Sequence, residues 1–258
     1  MAAIKYAVGR PSAATSALAG DFIVPSSVSG SSPSAGFALA DVRHEHLRRE
    51  VRFPLDATDK TITFNTSSQE PDAVFVEDVN TTQITVNGAT VNLSQNPRTK
   101  RYSVYYEPVS GVSTTWSVVL KYASRLSGVT YLGCGRISMV ASGGLKTMVT
   151  NWAEPYRFST HTLGSDRTLP GGFVESTSTS DLFLAFDMQG TFPLLTPTTT
   201  QHPLAYASLL QDERILHFEG RDDDTNKVHA YLLRRTSDPT ITQEFPSLDI
   251  AVGLTEVI

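Results

Sequence analysis

The sequence has little cysteine and little charge. Its one cysteine, Cys134, excludes an intrachain disulfide and a cysteine-rich zinc site. Because Cys134 lies between two glycines with no local partner, we expect a small buried residue rather than a nucleophile. Charged residues make up 18% of the 258 residues, and acidic residues outnumber basic ones by 26 to 21. Nucleic-acid-binding proteins usually carry a basic excess, so no nucleic-acid partner is expected.

Long apolar runs and the common catalytic motifs are also absent. No run of 18 apolar residues occurs, so we expect no transmembrane helix and no membrane insertion. The N-terminus lacks an unbroken apolar segment of the kind found in secretory signals. The chain has no P-loop, no Gly-x-Ser-x-Gly elbow, no His-Glu-x-x-His and no dinucleotide fingerprint. These absences predict a non-enzymatic protein without a cofactor.

The abundant residues are those of strands and turns. The chain contains 27 serines and 30 threonines, which suit strands and turns better than helices. Gln83–Val86 and Ala89–Leu93 alternate on either side of Asn87-Gly88, the dipeptide most typical of a tight hairpin. About a dozen short strands follow one another with turn signals between them. This pattern predicts an all-β fold, an antiparallel β-sandwich or jelly roll.

Two apolar runs, Val129–Leu132 and Ile137–Val140, are separated by Gly133-Cys134-Gly135, which predicts two strands. The only helix-like stretches are Asp41–Glu50, which Asp41 would cap, and Pro203–Glu213. The first of these equally suits a polar lead into a strand at Val51–Phe53. Neither is long enough to alter the all-β prediction.

Composition divides the chain into three parts. Residues 1–40 form a Ser/Ala/Pro-rich arm, residues 41–142 an N-terminal β region, and residues 143–258 a C-terminal β region. One large sandwich and two β domains both remain open. The arm is expected to be extended, either flexible or ordered against a neighbouring subunit. Its assembly anchor would be Phe22, Ile23 and Val24, three consecutive apolar residues in a polar segment.

Two patterns contain metal-ligating residue types. Asp222, Asp224 and Asn226 place oxygen atoms at the spacing of a calcium loop. The loop then departs from the motif, with Lys227 at the glycine position and Leu233 at the final glutamate position. A solvated hairpin turn is the favoured interpretation. His44 and His46 would share one face of a strand, but no second ligand pair stands at a familiar spacing. No metal is therefore predicted.

Aromatic residues suggest a second type of function. Trp152 and Tyr156 are candidate glycan contacts, because exposed aromatic rings form sugar-binding platforms on jelly rolls. Most of the other aromatic residues are expected to fill the core.

The layout of the chain from Phe37 to Ile258 resembles the β-sandwich structural proteins of tailed bacteriophages, namely tail and tail-tip components with jelly-roll or discoidin-like domains. The segments that carry this resemblance are Asp41–Phe53, Asp72–Gly88, Tyr131–Val140, Pro170–Asp187 and Leu248–Val257. The resemblance implies a structural component of a virion, assembled in the host cytoplasm. Its expected partners are copies of itself and other tail proteins.

Physical reasoning adds that arms and strand edges join subunits by extending neighbouring sheets. We therefore expect a symmetric oligomer. The alternative is a carbohydrate- or receptor-binding β-sandwich module that contacts a host-surface glycan. A hydrolase would require carboxylates that converge in one cleft, and the sequence nominates no such pair.

Overall fold

The computed structural model describes residues 5–11, 18–44, 49–96, 101–108, 113, 115–147, 153–162, 164–168, 174–178, 184–194, 214–220, 228–235, 240–244 and 247–256. After residue 145 it describes mainly the backbone. Twenty-one strands account for most of these residues. In chain order they are β1 Lys5–Pro11, β2 Leu18–Gly20, β3 Ser27–Gly30, β4 Val51–Pro54, β5 Lys60–Asn65, β6 Pro71–Val79, β7 Gln83–Val86, β8 Ala89–Asn92, β9 Ser94–Gln95, β10 Tyr102–Tyr106, β11 Thr115–Leu120, β12 Tyr131–Ala141, β13 Lys146–Thr147, β14 Ala153–Thr162, β15 Gly164–Thr168, β16 Val174–Ser178, β17 Leu184–Leu194, β18 Arg214–Gly220, β19 Val228–Arg235, β20 Thr240–Glu244 and β21 Ser247–Glu256.

The strands form three main sheets in which every described pairing is antiparallel. The outer sheet has the order β3-β5-β11-β7-β8, and the middle sheet has the order β4-β12-β6-β10-β9. The large sheet has nine strands, with the path β13-β1-β18-β19-β21-β17-β14 and with β2 and β20 attached to β1 and β21. The predicted all-β sandwich is confirmed.

The outer and middle sheets enclose the first hydrophobic core. Alternate residues of β5 and β11 point into it, including Ile62, Phe64 and Trp116. Phe53 and Leu132 enter from the middle sheet. Because each of these side chains is at most 3% exposed, this core resembles the interior of a two-sheet sandwich.

A second core lies on the other face of the middle sheet. Phe75, Tyr105 and Val140 of the middle sheet pack there with Ala230 and Leu232 of β19 in the large sheet. The middle sheet is therefore buried on both faces, and nine consecutive residues of β12 are buried. The sandwich consequently has three layers.

The N-terminal segment is part of these layers. β1 lies between β13 and β18, and β3 is the outermost strand of the outer sheet beside β5. Phe22 and Ile23 are 5% and 4% exposed and belong to the second and first core, whereas Val24 is 39% exposed. The described part of residues 1–40 thus differs from the predicted extended arm. Its apolar residues find their packing partners in their own chain.

The predicted boundary near residue 142 falls between β12 and β13. The strands of the outer and middle sheets come from residues 27–141, and those of the large sheet come from residues 5–20 and 146–256. The large sheet therefore joins the two ends of the chain, an arrangement that the linear division into three segments did not include.

Helical structure in the described residues is limited to two 3₁₀ turns, Leu39–Arg43 and Tyr122–Ser124. The predicted helix from Asp41 is wrong at its start, because Asp41 lies inside the first turn and its carboxylate accepts the Ala38 N–H at 3.1 Å. The helix candidate 203–213 lies outside the described residues. No described helix has the length and apolar character needed to cross a membrane.

One two-stranded ribbon stands apart from the main sheets. β15 and β16 pair with each other from Gly164↔Ser178 to Thr168↔Val174, and with no other described strand. The β14–β17 pairing ends at Thr162↔Leu184, just before the ribbon begins. In the sequence the ribbon follows β14 and precedes β17, which pair with each other. Its five residue pairs correspond to about 17 Å.

Candidate functional site

The candidate site is a cleft of about 610 Å³ at one end of the middle sheet. This is the end at which β6 finishes and β10 and β12 begin. The cleft is lined by Glu50, just before β4, and by Arg52 from β4, Asp78 from β6, Tyr102 from β10 and Tyr131 from β12. The loop 126–130 completes the rim. Four segments distant in sequence thus supply charged and aromatic side chains to one cavity.

The backbone at Asp78 explains why acidic residues collect here. Asp78 has a φ of 55°, a left-handed conformation that a non-glycine residue rarely adopts within a strand. The alternation of side chains changes phase at this residue. Val74 and Val76 point into the first core, and so does Val79, at a spacing that an uninterrupted strand would not allow. At this irregularity Asp78 lines the cleft, while the preceding residue, Glu77, is buried.

A buried cluster of charges lies next to the cleft. Glu77 of β6 is directly opposite Arg136 of β12, and the Arg136 Nε donates to Glu77 Oε2 at 3.1 Å. The Arg136 Nη2 forms a second contact to the same carboxylate, and Arg101 Nη2 lies 3.5 Å from its other oxygen. All three side chains are at most 5% exposed. Removing one member would leave a buried charge without its partner, which is strongly destabilising. The cluster therefore fixes the local geometry.

The Asp78 carboxyl differs from that of Glu77 in having no such partner. It makes no hydrogen bond or ion pair with any described residue, although it is surrounded by protein atoms and reaches solvent through the cleft. Burial raises its pKa to about 6; the neighbouring Arg101 opposes this effect, and Glu50 and Glu77 add to it. Asp78 is therefore an acceptor that the fold leaves available in the cleft.

The opposite wall is a stacked cluster around Arg52. Its guanidinium carbon lies 4.3 Å from the centre of the Tyr131 ring and 4.9 Å from that of Phe37. Arg52 Nε donates to Glu50 Oε1 at 2.6 Å, and the Tyr131 hydroxyl contacts Glu50 Oε2 at 3.4 Å. Burial, reinforced by Glu50, raises the pKa of Tyr131, which keeps its hydroxyl neutral. The wall presents one carboxylate and one aromatic ring in fixed positions.

Asn80 holds the rim loop in place. Its Nδ2 donates to the Tyr131 carbonyl at 2.7 Å, its Oδ1 accepts the Gly133 N–H at 2.9 Å, and its own carbonyl accepts the Leu126 N–H at 2.9 Å. Gly133 is required beside it because a Cβ there would lie 2.7 Å from the Tyr131 ring and 3.1 Å from the Val51 carbonyl. The loop and the Tyr131 ring are therefore positioned by the backbone of β12.

The arrangement is suited to binding a polar ligand. It combines carboxylate acceptors, aromatic rings and the hydroxyls of Ser127 and Thr130 in one concave surface. Small-molecule sites commonly have volumes of about 300–1,000 Å³. Two carboxyl groups, those of Glu50 and Asp78, line the same cleft, which is the placement that a hydrolase would require. Glu50, however, is held by Arg52 and Tyr131.

The residues that line the cleft are not those predicted from the sequence. Trp152, His46 and the cation candidates Asp222, Asp224 and Asn226 fall outside the described residues, and only the backbone of Tyr156 is described, in β14. Their proposed roles stay predictions. No group of three potential metal ligands occurs among the residues that the structure describes. Phe22 and Ile23 are buried within their own chain, so the predicted contact of these two with a neighbouring subunit is replaced by core packing.

Cys134 is fully buried in the first core, as expected from the sequence. Burial raises the pKa of its thiol, and the charge of Asp78 adds to this effect. The thiol is therefore inert.

Sequence reasoning missed the cleft because its residues do not form a local motif. Glu50, Asp78, Arg101 and Tyr131 are separated by 20 residues or more and meet only through strand pairing. One local signal was present: the acidic pair Glu77-Asp78 directly follows the apolar run Ala73–Val76. Carboxylates in a buried strand are costly unless they are paired, so this pair indicated a polar site.

Comparisons with protein-family models, with curated proteins and with solved structures found no match for this chain.

Proposed function

We propose that this protein is a non-enzymatic structural component of a bacteriophage virion, in the tail or tail tip, that assembles as a symmetric oligomer through its sheet edges. The observation that carries the assembly part is that β14 has no further described strand beside it at its edge of the large sheet, and that the β15–β16 ribbon follows it in the sequence.

This edge has the features of a strand-addition surface. β14 is ten residues long and is the outermost described strand on its side of the large sheet. A long outermost strand presents unpaired N–H and C=O groups, which another strand satisfies by pairing. The ribbon consists of the segments GSDRT and VESTS, which contain few apolar residues. A two-stranded ribbon is marginally stable on its own in water, so contact with a second copy would stabilise it.

The N-terminal segment supports the fold rather than this contact. β1 is an interior strand of the large sheet, and Phe22 packs in the second core. Deleting residues 1–36 would therefore damage the large sheet and would not report on assembly alone. The assembly surface is better tested at the ribbon, which has no described pairing with the main sheets.

The assignment to a phage virion rests on the layout of the chain. A multilayered antiparallel sandwich with Ser/Thr-rich strands is consistent with that layout. Proteomics of particles purified from the source of the gene tests this part: a stoichiometric amount of the chain is expected, and its absence from the particles would overturn the virion assignment.

The test of assembly is the mass in solution, measured by light scattering over a range of protein concentrations. The full chain is compared with a variant in which residues 164–178 are replaced by a short Gly/Ser linker. We expect a defined oligomer for the full chain and a monomer for the ribbon variant. The variant should keep the circular dichroism and thermal midpoint of the monomeric fold, because the ribbon pairs with no other described strand.

A single substitution disrupts pairing within the ribbon without changing the length of the chain. Asp166→Pro removes a donor and a paired position in the middle of the ribbon, opposite Ser176, and should also reduce the oligomer. A full chain that is monomeric at every concentration would contradict the proposal. So would a ribbon variant that retains the same oligomer.

A further inference from the structure

We propose that the cleft between Asp78, Glu50, Tyr102 and Tyr131 binds a neutral, hydroxyl-rich ligand, that is, a carbohydrate. This inference goes beyond the proposed structural role and uses none of the residues of the ribbon.

The available acceptors are the first argument. The Asp78 carboxylate lines the cleft and has no partner among the described residues. Glu50 directs one oxygen to Arg52, and its other oxygen has only the long 3.4 Å contact with the Tyr131 hydroxyl. Each carboxylate has room for about four hydrogen bonds, so both retain accepting capacity. Ligand hydroxyls are donors that match these oxygens.

The balance of charge selects against an ionic ligand. The described charged residues that line the cleft are Glu50, Asp78, Arg52 and Arg101, two of each sign. Arg52 is paired with Glu50, and Arg101 lies against Glu77. A phosphate or sulfate group would meet the Asp78 carboxylate without a dedicated cation, and an ammonium group would meet two guanidinium groups. A neutral ligand avoids both costs.

The aromatic residues supply the apolar surface that a sugar site needs in addition to hydrogen-bond acceptors. Tyr102 and Tyr131 are both only partly buried, and both line the cleft. A tyrosine offers an apolar ring face for the C–H groups of a sugar and a hydroxyl for its oxygens. Arg52 stacks on the Tyr131 ring, and Gly133 lets that ring lie against β12, so its orientation is fixed before a ligand arrives.

The strained backbone at Asp78 is an independent indication. A φ of 55° is unfavourable for an aspartate in a strand, and burial of an unpartnered carboxyl adds to the cost. Such conformations persist where the surrounding structure imposes them, and they cluster at binding sites. Here the strain places a carboxylate in the cleft rather than a side chain in the core.

The test uses the full chain and defined neutral sugars. Glucose, galactose, N-acetylglucosamine and their β1,4-linked disaccharides are screened by saturation-transfer NMR, and binders are titrated calorimetrically. Glucose 6-phosphate and glucosamine serve as charged probes. We expect at least one neutral sugar to bind and the matching charged sugar to bind at least tenfold more weakly.

Two matched variants locate the site. Asp78→Asn keeps the shape and the left-handed backbone but loses the charged acceptor, and it should weaken binding about 10- to 100-fold. Asp59→Asn lies outside the cleft, where Asp59 pairs with Lys121, and should leave affinity unchanged. Absence of binding by every neutral sugar would overturn the proposal, and so would equal binding by the two variants. Since the ribbon variant keeps the cleft, it should bind like the full chain, so failure of the sugar site and failure of assembly are distinguishable.

Discussion

At the scale of one residue, the position of Asp78 lowers the stability of the fold and places a carboxyl group in the cleft. Its backbone is left-handed, its carboxyl is surrounded by protein, and its nearest acidic neighbours are Glu50 and Glu77. The left-handed backbone is unfavourable for any residue with a side chain, and the other two features disfavour the ionised form of the carboxyl. In the buried Arg136–Glu77–Arg101 cluster beside it, opposite charges contact one another, whereas the Asp78 carboxyl has no such ion pair with a described residue.

The first prediction concerns the pH dependence of stability. The pKa of Asp78 is about 6 in the folded chain and near 4 in the unfolded chain, so between these values the folded state holds more protons. The free energy of unfolding should therefore fall as the pH rises from about 4 to about 6, by about 2–3 kcal/mol. Asp78→Asn should remove this decline. Urea denaturation across that range measures both proteins.

The other shifted aspartates act outside this window. The pKa of Asp56 is lowered to about 2, mainly by its hydrogen bond from Lys60, and that of Asp59 is lowered mainly by Lys121. Their contributions are lost only as the pH falls below about 4. A wild-type profile that rises or stays level between pH 4 and pH 6 would contradict the description of Asp78.

At the scale of the element, a turn set by local residues could be predicted from the sequence, whereas elements set by contacts between distant residues could not. Asn87 and Gly88 both have positive φ, 44° and 88°, and the strands Gln83–Val86 and Ala89–Asn92 pair directly on either side. Both residue types tolerate that backbone, so the hairpin could be predicted from four residues.

Two elements could not be predicted because distant contacts decide them. Gly133-Cys134-Gly135 separates two apolar runs and predicts two strands, yet it lies inside the single strand β12, where the glycine at 133 accommodates the Tyr131 ring and β4. The N-terminal segment has the composition of an arm, but its pairing with β18 and β5 makes it part of two sheets. The cleft depends on the same strand register, which explains why its residues had no signature in the sequence.

The second prediction tests the Asn87-Gly88 turn. A Cβ on Gly88 would meet nothing within 4 Å, so Gly88→Ala perturbs only the backbone conformation. It should lower the free energy of unfolding by about 1 kcal/mol. Gly88→Asn is the control, because asparagine tolerates positive φ and should cost less. Chemical denaturation compares the three proteins, and an alanine variant as stable as wild type would show that the turn geometry is wrong.

At the scale of the whole molecule, the cleft and the edge proposed for assembly belong to different sheets. The outer and middle sheets contain the first core and the cleft, and both are built from residues 27–141 apart from Ile23. The large sheet ends on one side in β14, its long outermost described strand, and the ribbon of β15 and β16 follows β14 in the sequence. The proposed binding cleft and the proposed assembly edge therefore occupy different parts of the fold. Such a division suits a subunit that joins its own copies at one surface and contacts a ligand at another.

The most direct measurement is hydrogen exchange of the ribbon amides, followed by mass spectrometry at several protein concentrations. An unsupported two-stranded ribbon should exchange rapidly, whereas pairing with a second copy should protect it. We expect protection of residues 164–178 to increase with concentration, while the amides of β11, in the middle of the outer sheet, stay protected throughout. Ribbon exchange that is the same at every concentration would contradict assembly through this edge.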